Sequence, residues 1–247
     1  GVVSGKPTLF DISANNVTID NLHFNVDLSK LKSAIIASAA AIDNIIIQNN
    51  IIDAYGTPAV GTYSDRNAVS INYTGNTNYR VATGGVNSIT FTNNTVNGTL
   101  PQSFFRSGVV ADEAGGTFTG NTLQSINHDV LVRFGNNGNI SITGNNLNGG
   151  GVELDDMNAG AGVLTVSNNI FDATFANSSA PGTAVLRLQN NYNSKVTTVS
   201  GNTFLNHDWA ISTANYNSLT IDNNSFTPLS GSTSYHHLTI NNKSIST

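Results

Sequence analysis

The chain has no cysteine among its 247 residues, one methionine and one tryptophan. The missing thiols exclude a disulfide framework, a thiolate metal site and a cysteine nucleophile. Charge is scarce too: 10% of residues are charged and the net charge is −5. No Lys/Arg run occurs, which argues against nucleic-acid binding. No apolar run approaches 18 residues, so no membrane-spanning helix is expected. What is abundant is asparagine, at 38 positions. Such polarity could mean disorder, but disorder usually comes with high net charge and few regularly placed apolar residues. Here the apolar residues recur on a pattern, and the length suits one large all-β domain over 1–247. The sequence opens at Gly1 without methionine or a signal peptide, and reads as a mature segment of a longer protein.

The pattern is a short phrase, seen in "SITFTNNTV" and rewritten as "NIIIQNNII", "GTFTGNTL", "NISITGNNL", "VLTVSNNIF", "VTTVSGNTF" and "SLTIDNNSF". "NVTIDNLHF" and "HLTINNKSI" read as first and last copies. The phrases align on one slot held by Asn50, Asn94, Asn121, Asn145, Asn169, Asn202 and Asn224, with Leu22 and Lys243 in the outer copies. The intervals are 28, 44, 27, 24, 24, 33, 22 and 19 residues. Five before the slot stand Val17, Ile45, Ile89, Gly116, Ile140, Leu164, Thr197, Leu219 and Leu238. Three before it stand Ile19, Ile47, Phe91, Phe118, Ile142, Val166, Val199, Ile221 and Ile240. Two after it stand Phe24, Ile52, Val96, Leu123, Leu147, Phe171, Phe204, Phe226 and Ile245. Strands bury alternate residues, so these columns face one interior.

About 20 residues per copy is too few for a propeller blade, and helical periodicity is absent. A coil of two or three short strands fits, stacked about 4.8 Å on the next. The asparagines then serve two ends: corners, where asparagine tolerates left-handed backbone angles, and hydrogen bonding along the stack. Gly120, Gly144 and Gly201 in the neighbouring slot suit tight corners. A second strand precedes each phrase, in "TLFDIS", "AIIAS", "AVSIN", "VVAD", "VLVRF", "VELDD", "AVLRL" and "WAIST". The coil spacing favours strand over helix through Leu28 to Lys32. The widest interval, around 55–85, reads as a long loop insertion on one coil.

Carried by the unit hydrophobe-Thr/Ser-hydrophobe-x-Asn/Gly-Asn, the chain resembles the right-handed parallel β-helix superfamily over nearly its whole length. The resemblance implies an all-β single-stranded solenoid of about nine coils. It leaves function open, because pectate lyase-like enzymes, polysaccharide epimerases, phage tailspikes and bacterial surface adhesins share the fold. The N-terminal capping helix usual in that superfamily is not evident here.

Four groups of residues invite function. Asp112, Arg133, Glu153, Asp155 and Arg187 alternate with inward apolar residues, and would present acid and base in a row. Lyases of this fold pair a basic residue with charge neutralisation, so this row is the candidate catalytic set; the plainer reading is a salt-bridge ladder. "NHD" occurs twice, at Asn127-His128-Asp129 and Asn206-His207-Asp208. Three coils separate the copies, too far for one metal, and turn chemistry explains both. "NYNS" also occurs twice and puts Tyr192 and Tyr216 at one corner, with Trp209 on the same coil as Tyr216. This is the candidate sugar-stacking site. Last, Thr18, Thr90, Thr117, Ser141, Thr165, Thr198, Thr220 and Thr239 form an outward column beside Thr92, Thr119, Thr143, Ser167 and Ser200. This hydroxyl lattice resembles the ice-binding face of β-solenoid antifreeze proteins, although threonine is a normal outward strand residue.

These features favour a secreted or cell-surface β-helix that binds glycans or surface polymers, or serves as an adhesin stalk. Further domains of a longer chain are expected as neighbours. The alternatives are a lyase, hydrolase or epimerase acting on an acidic polysaccharide, and an ice binder. No metal or cofactor is implied; calcium is compatible with the composition without being indicated.

Overall fold

The computed structural model describes residues 2–3, 6–37, 42–57, 66–71, 88–98, 105–112, 115–125, 128–133, 138–155, 162–175, 184–191, 196–216, 218–231 and 235–241. Three sheets of ten, eight and eight strands run the length of the molecule. Among the described residues every strand pairing is parallel except Val2–Val3 against Lys6 and Pro7, an antiparallel pair at the first edge. Each coil lays one strand in each sheet. Coil five is typical: His128–Arg133 in the first sheet, Ile140–Thr143 in the second and Asn146–Gly149 in the third. The chain is a parallel β-helix. Among the described residues no α-helix occurs, only the 3-10 turn Ala173–Phe175, and no helix is long and apolar enough to cross a membrane.

The three apolar columns fill the interior. Ile45, Ile47, Phe91, Ile142, Val166, Val199, Ile52, Val96 and Phe204 are all fully buried. Gly116 shows how closely the columns approach, since a Cβ there would sit 2.5 Å from the Ile89 side chain and carbonyl. The register is Ile89, Gly116, Ile140, Leu164, Thr197 and Leu219 in one column, as the spacing implies.

The corner divides its labour between two residues. The left-handed position lies one before the expected slot, at Asn21, Asn49, Asn93, Gly120, Gly144, Asn168, Gly201 and Asn223, with φ between 52 and 67°. The slot asparagines are free of that demand and turn inward. There Asn145 Nδ2 donates to Phe118 O at 2.9 Å and to Asn169 Oδ1 at 2.8 Å. Its Oδ1 accepts from Asn121 N and Asn121 Nδ2, both at 2.9 Å. Asn50, Asn94, Asn121, Asn169 and Asn202 repeat the arrangement. All six are at most 2% exposed. The amides form one hydrogen-bonded thread along the stack.

Two expectations need correction. The last phrase does not stack on the ladder: His236–Asn241 pairs with Trp209–Ala214 in the first sheet, with Ile211 opposite Leu238 and Thr213 opposite Ile240. Leu238 and Ile240 are 42% and 56% exposed there, so they leave the ladder columns, and Thr239 leaves the hydroxyl column. Lys243 and Ile245 lie outside the described residues. Among the described residues the stack thus has eight three-strand coils and a ninth begun by His236–Asn241. Second, 28–30 form a turn and the next strand starts at Ser33, so Leu28 to Lys32 is not strand. Inside the 55–85 interval the strand read in "AVSIN" is present: Asn67–Ile71 belongs to the first sheet and is wholly buried.

Candidate functional site

The first sheet carries the charged residues on alternate positions, and its register separates them into two rows. Asp112 is opposite Arg133, and Arg133 opposite Asp155. Glu153 belongs to the adjacent row, opposite Leu131 on one side and Arg187 on the other. Arg187 therefore does not continue the Asp112 row as the alternating pattern suggested. Its Nη1 donates to Glu153 Oε2 at 3.0 Å, and Gln189 Nε2 donates to Oε1 at 3.3 Å. Glu153 is 8% exposed. A nearly buried carboxylate with both oxygens engaged is held as an acceptor, and is poorly placed to take a proton from a substrate. Only the backbones of Asp112 and Arg133 are described, and they place the two residues side by side.

Of the aromatic candidates, Trp209 and Tyr216 are held apart. Trp209 and Tyr216 begin and end one eight-residue strand, so their Cα atoms stand roughly 23 Å apart at strand rise. Trp209 meets His236 edge-on, ring centroids 4.7 Å apart. Tyr216 is opposite Asn191. Tyr192 itself lies outside the described residues.

The two "NHD" copies are not equivalent. Val130 shares a column with Val152, Leu186 and Ile211. Asp129 precedes that column by one residue and Asp208 by three. The first copy buries its aspartate and the second its histidine, both fully. Asn206 is left-handed, at φ 53°, inside the strand Thr203–His207 where the pairing slips between Leu205 and His207, so it serves an irregularity of the strand and not a turn. His207 Nε2 lies 3.2 Å from His237 Nδ1, and the ring packs on Phe204 and Phe226. Burial, then the neighbouring His237, lowers the His207 pKa.

Asp129, which composition reads as turn chemistry, is a buried acid. Ser125 Oγ donates to Oδ1 at 2.9 Å and Gly151 N to Oδ2 at 3.0 Å. Burial pushes the carboxyl up to about 7, against the pull of those donors. The folded state therefore prefers the neutral acid. This contribution to stability is complete below the unfolded value near 3.8 and is lost as pH rises through about 7. Wild type should consequently melt lower at pH 7.5 than at pH 4 relative to Asp129→Asn, in which nothing titrates at that position. Parallel melting curves across this range would refute the assignment. The sequence holds one signal: glycines at 108, 149 and 151 crowd this corner, and a Cβ at Gly108 would lie 2.6 Å from Asp129 O.

The second sheet keeps its outward columns in register from Thr18 to Thr220 and from Asp20 to Asp222. Between Thr90 and Ser200 every member is threonine or serine, and each is at least partly exposed. Among the described residues, no group of three or more metal-ligating side chains occurs.

Fold and surface together define a β-helical solenoid with a hydroxyl face in its second sheet and a charged row in its first, where Arg187 pairs with Glu153. Among solved structures, the Streptococcus pneumoniae surface protein and adhesin PfbA is similar, with a TM-score of 0.52 at 12% identity. The match covers 93% of this chain and 67% of that one. At such identity the likeness is one of fold. No family model matches the sequence, and no curated protein matches it.

Proposed function

We propose that this chain is the rod of a cell-surface or secreted β-helix protein, and that it binds glycans rather than cleaving them. The observation that carries the reading is the engagement of Glu153 by Arg187 and Gln189. It ties up a nearly buried carboxylate on the charged face, where a lyase or hydrolase needs a free proton-transfer group. The adhesin role of the similar pneumococcal protein supports the same reading at the level of fold. Contact is assigned to the corner of Tyr192 and Tyr216, because aromatic faces cover sugar C–H surface without charge. Trp209 belongs to the opposite end of its strand and makes a separate contact point.

The test is a glycan array run beside an assay for reducing ends and unsaturated products. Tyr192→Ala with Tyr216→Ala should abolish retention, and Arg133→Ala should leave it intact. Polymer cleavage that disappears in Arg133→Ala would replace this reading with an enzyme acting on acidic polysaccharide, built on Asp112, Arg133 and Asp155. Neither retention nor cleavage would leave a structural stalk.

A further inference from the structure

We infer that the second-sheet face between coils three and seven binds an ordered lattice of water, the surface of an ice crystal. Ten outward side chains make this face: Thr90 and Thr92, Thr117 and Thr119, Ser141 and Thr143, Thr165 and Ser167, Thr198 and Ser200. Their strands pair without a register slip. The third sheet, by contrast, slips between Leu205 and His207. None of the ten is charged, and the columns reach a carboxylate only at their ends, in Asp20 and Asp222. Among described residues the lattice holds one internal side-chain bond, Ser141 Oγ to Thr143 Oγ1 at 2.9 Å. The other hydroxyls are left to bond outward.

The spacing selects the partner. Hydroxyls on successive coils repeat at about 4.8 Å. In a tetrahedral water network, oxygens bonded at about 2.75 Å place second neighbours about 4.5 Å apart. A column of hydroxyls can thus occupy successive oxygen sites of such a network with small adjustment. Each hydroxyl both donates and accepts, as water does, while the threonine methyls beside it exclude competing orientations. Exposed Val163 and Val196, 44% and 50% accessible, extend the apolar border. The amide thread under the adjoining corner fixes the coil spacing before any partner arrives. A polysaccharide chain would prefer aromatic platforms or charge, and these ten positions offer neither.

The experiment grows ice slowly from a solution of the protein and measures the fraction retained in the ice, together with crystal-growth arrest in a temperature gradient. Wild type should be retained and should shape crystals. Thr119→Lys with Thr143→Lys should be excluded from the ice. Thr122→Lys with Asn146→Lys, exposed on the third sheet, should be retained like wild type. If the first pair melts below wild type, Thr119→Val with Thr143→Val, which keeps strand propensity, is read in its place and should also lose retention. Exclusion of wild type, or equal loss in both lysine pairs, would overturn the inference. So would capture of crystalline polysaccharide by this face without ice retention. The glycan reading concerns another corner, so either can fail while the other stands.

Discussion

Asn145→Ala is expected to lose more than about 4 kcal/mol of stability, beyond the usual range of single substitutions. The side chain is 2% exposed. Removing it strands Phe118 O, one acceptor site on Asn169 Oδ1, and both the main-chain N–H and one amide hydrogen of Asn121. Each buried, unmatched group costs about 1–3 kcal/mol, and alanine offers none of them a partner. Asn146→Ala is the control. It lies one residue on, points outward and is exposed, so a change within about 0.5 kcal/mol is expected. Urea denaturation compares the two directly. Equal midpoints would mean that the ladder amides contribute nothing beyond their corner.

Phe118→Ala should cost roughly 3–5 kcal/mol. Phe118 is 1% exposed and sits between Phe91 and Ile142 in the central interior column. Its ring tilts against that of Phe91, centroids 6.5 Å apart. The amide thread fixes the distance between coils, so neighbouring coils cannot close on the space left. The cost should therefore fall toward the upper part of that range. Thr117→Ala, next to it on the outward side and exposed, should change stability by less than about 0.5 kcal/mol. If both variants denature alike, the inward assignment of this column is wrong.

The interior was legible because a strand has period two and a coil repeats it. Ile142 and Val166 announce themselves by offset alone. The same period misleads where two sheets share it. "HLTINN" carries the ladder phrase, yet Leu238 and Ile240 continue the first sheet; only the short interval of 19 residues hinted at this. Arg187 alternates with leucines just as Arg133 follows valine, but the register of the paired strands, which the alternation does not reveal, sets which row each joins. Trp209 and Tyr216 share a coil, and coil membership says nothing about distance along a strand. Asp129 looks like turn chemistry in the sequence because Asn-His-Asp is ordinary turn composition; its burial goes with the glycines at 108, 149 and 151 that crowd that corner. The left-handed angle could not be assigned within each Asn-Asn pair, since either residue tolerates it.

The central claim is that the repeated asparagines form one buried amide thread. Side-chain amide hydrogen exchange, followed by NMR on asparagine-labelled protein, measures this directly. The amides of Asn50, Asn94, Asn121, Asn145, Asn169 and Asn202 should exchange far more slowly than that of exposed Asn146. Exchange of all of them at the rate of Asn146 would contradict the thread and the account of the repeat built on it.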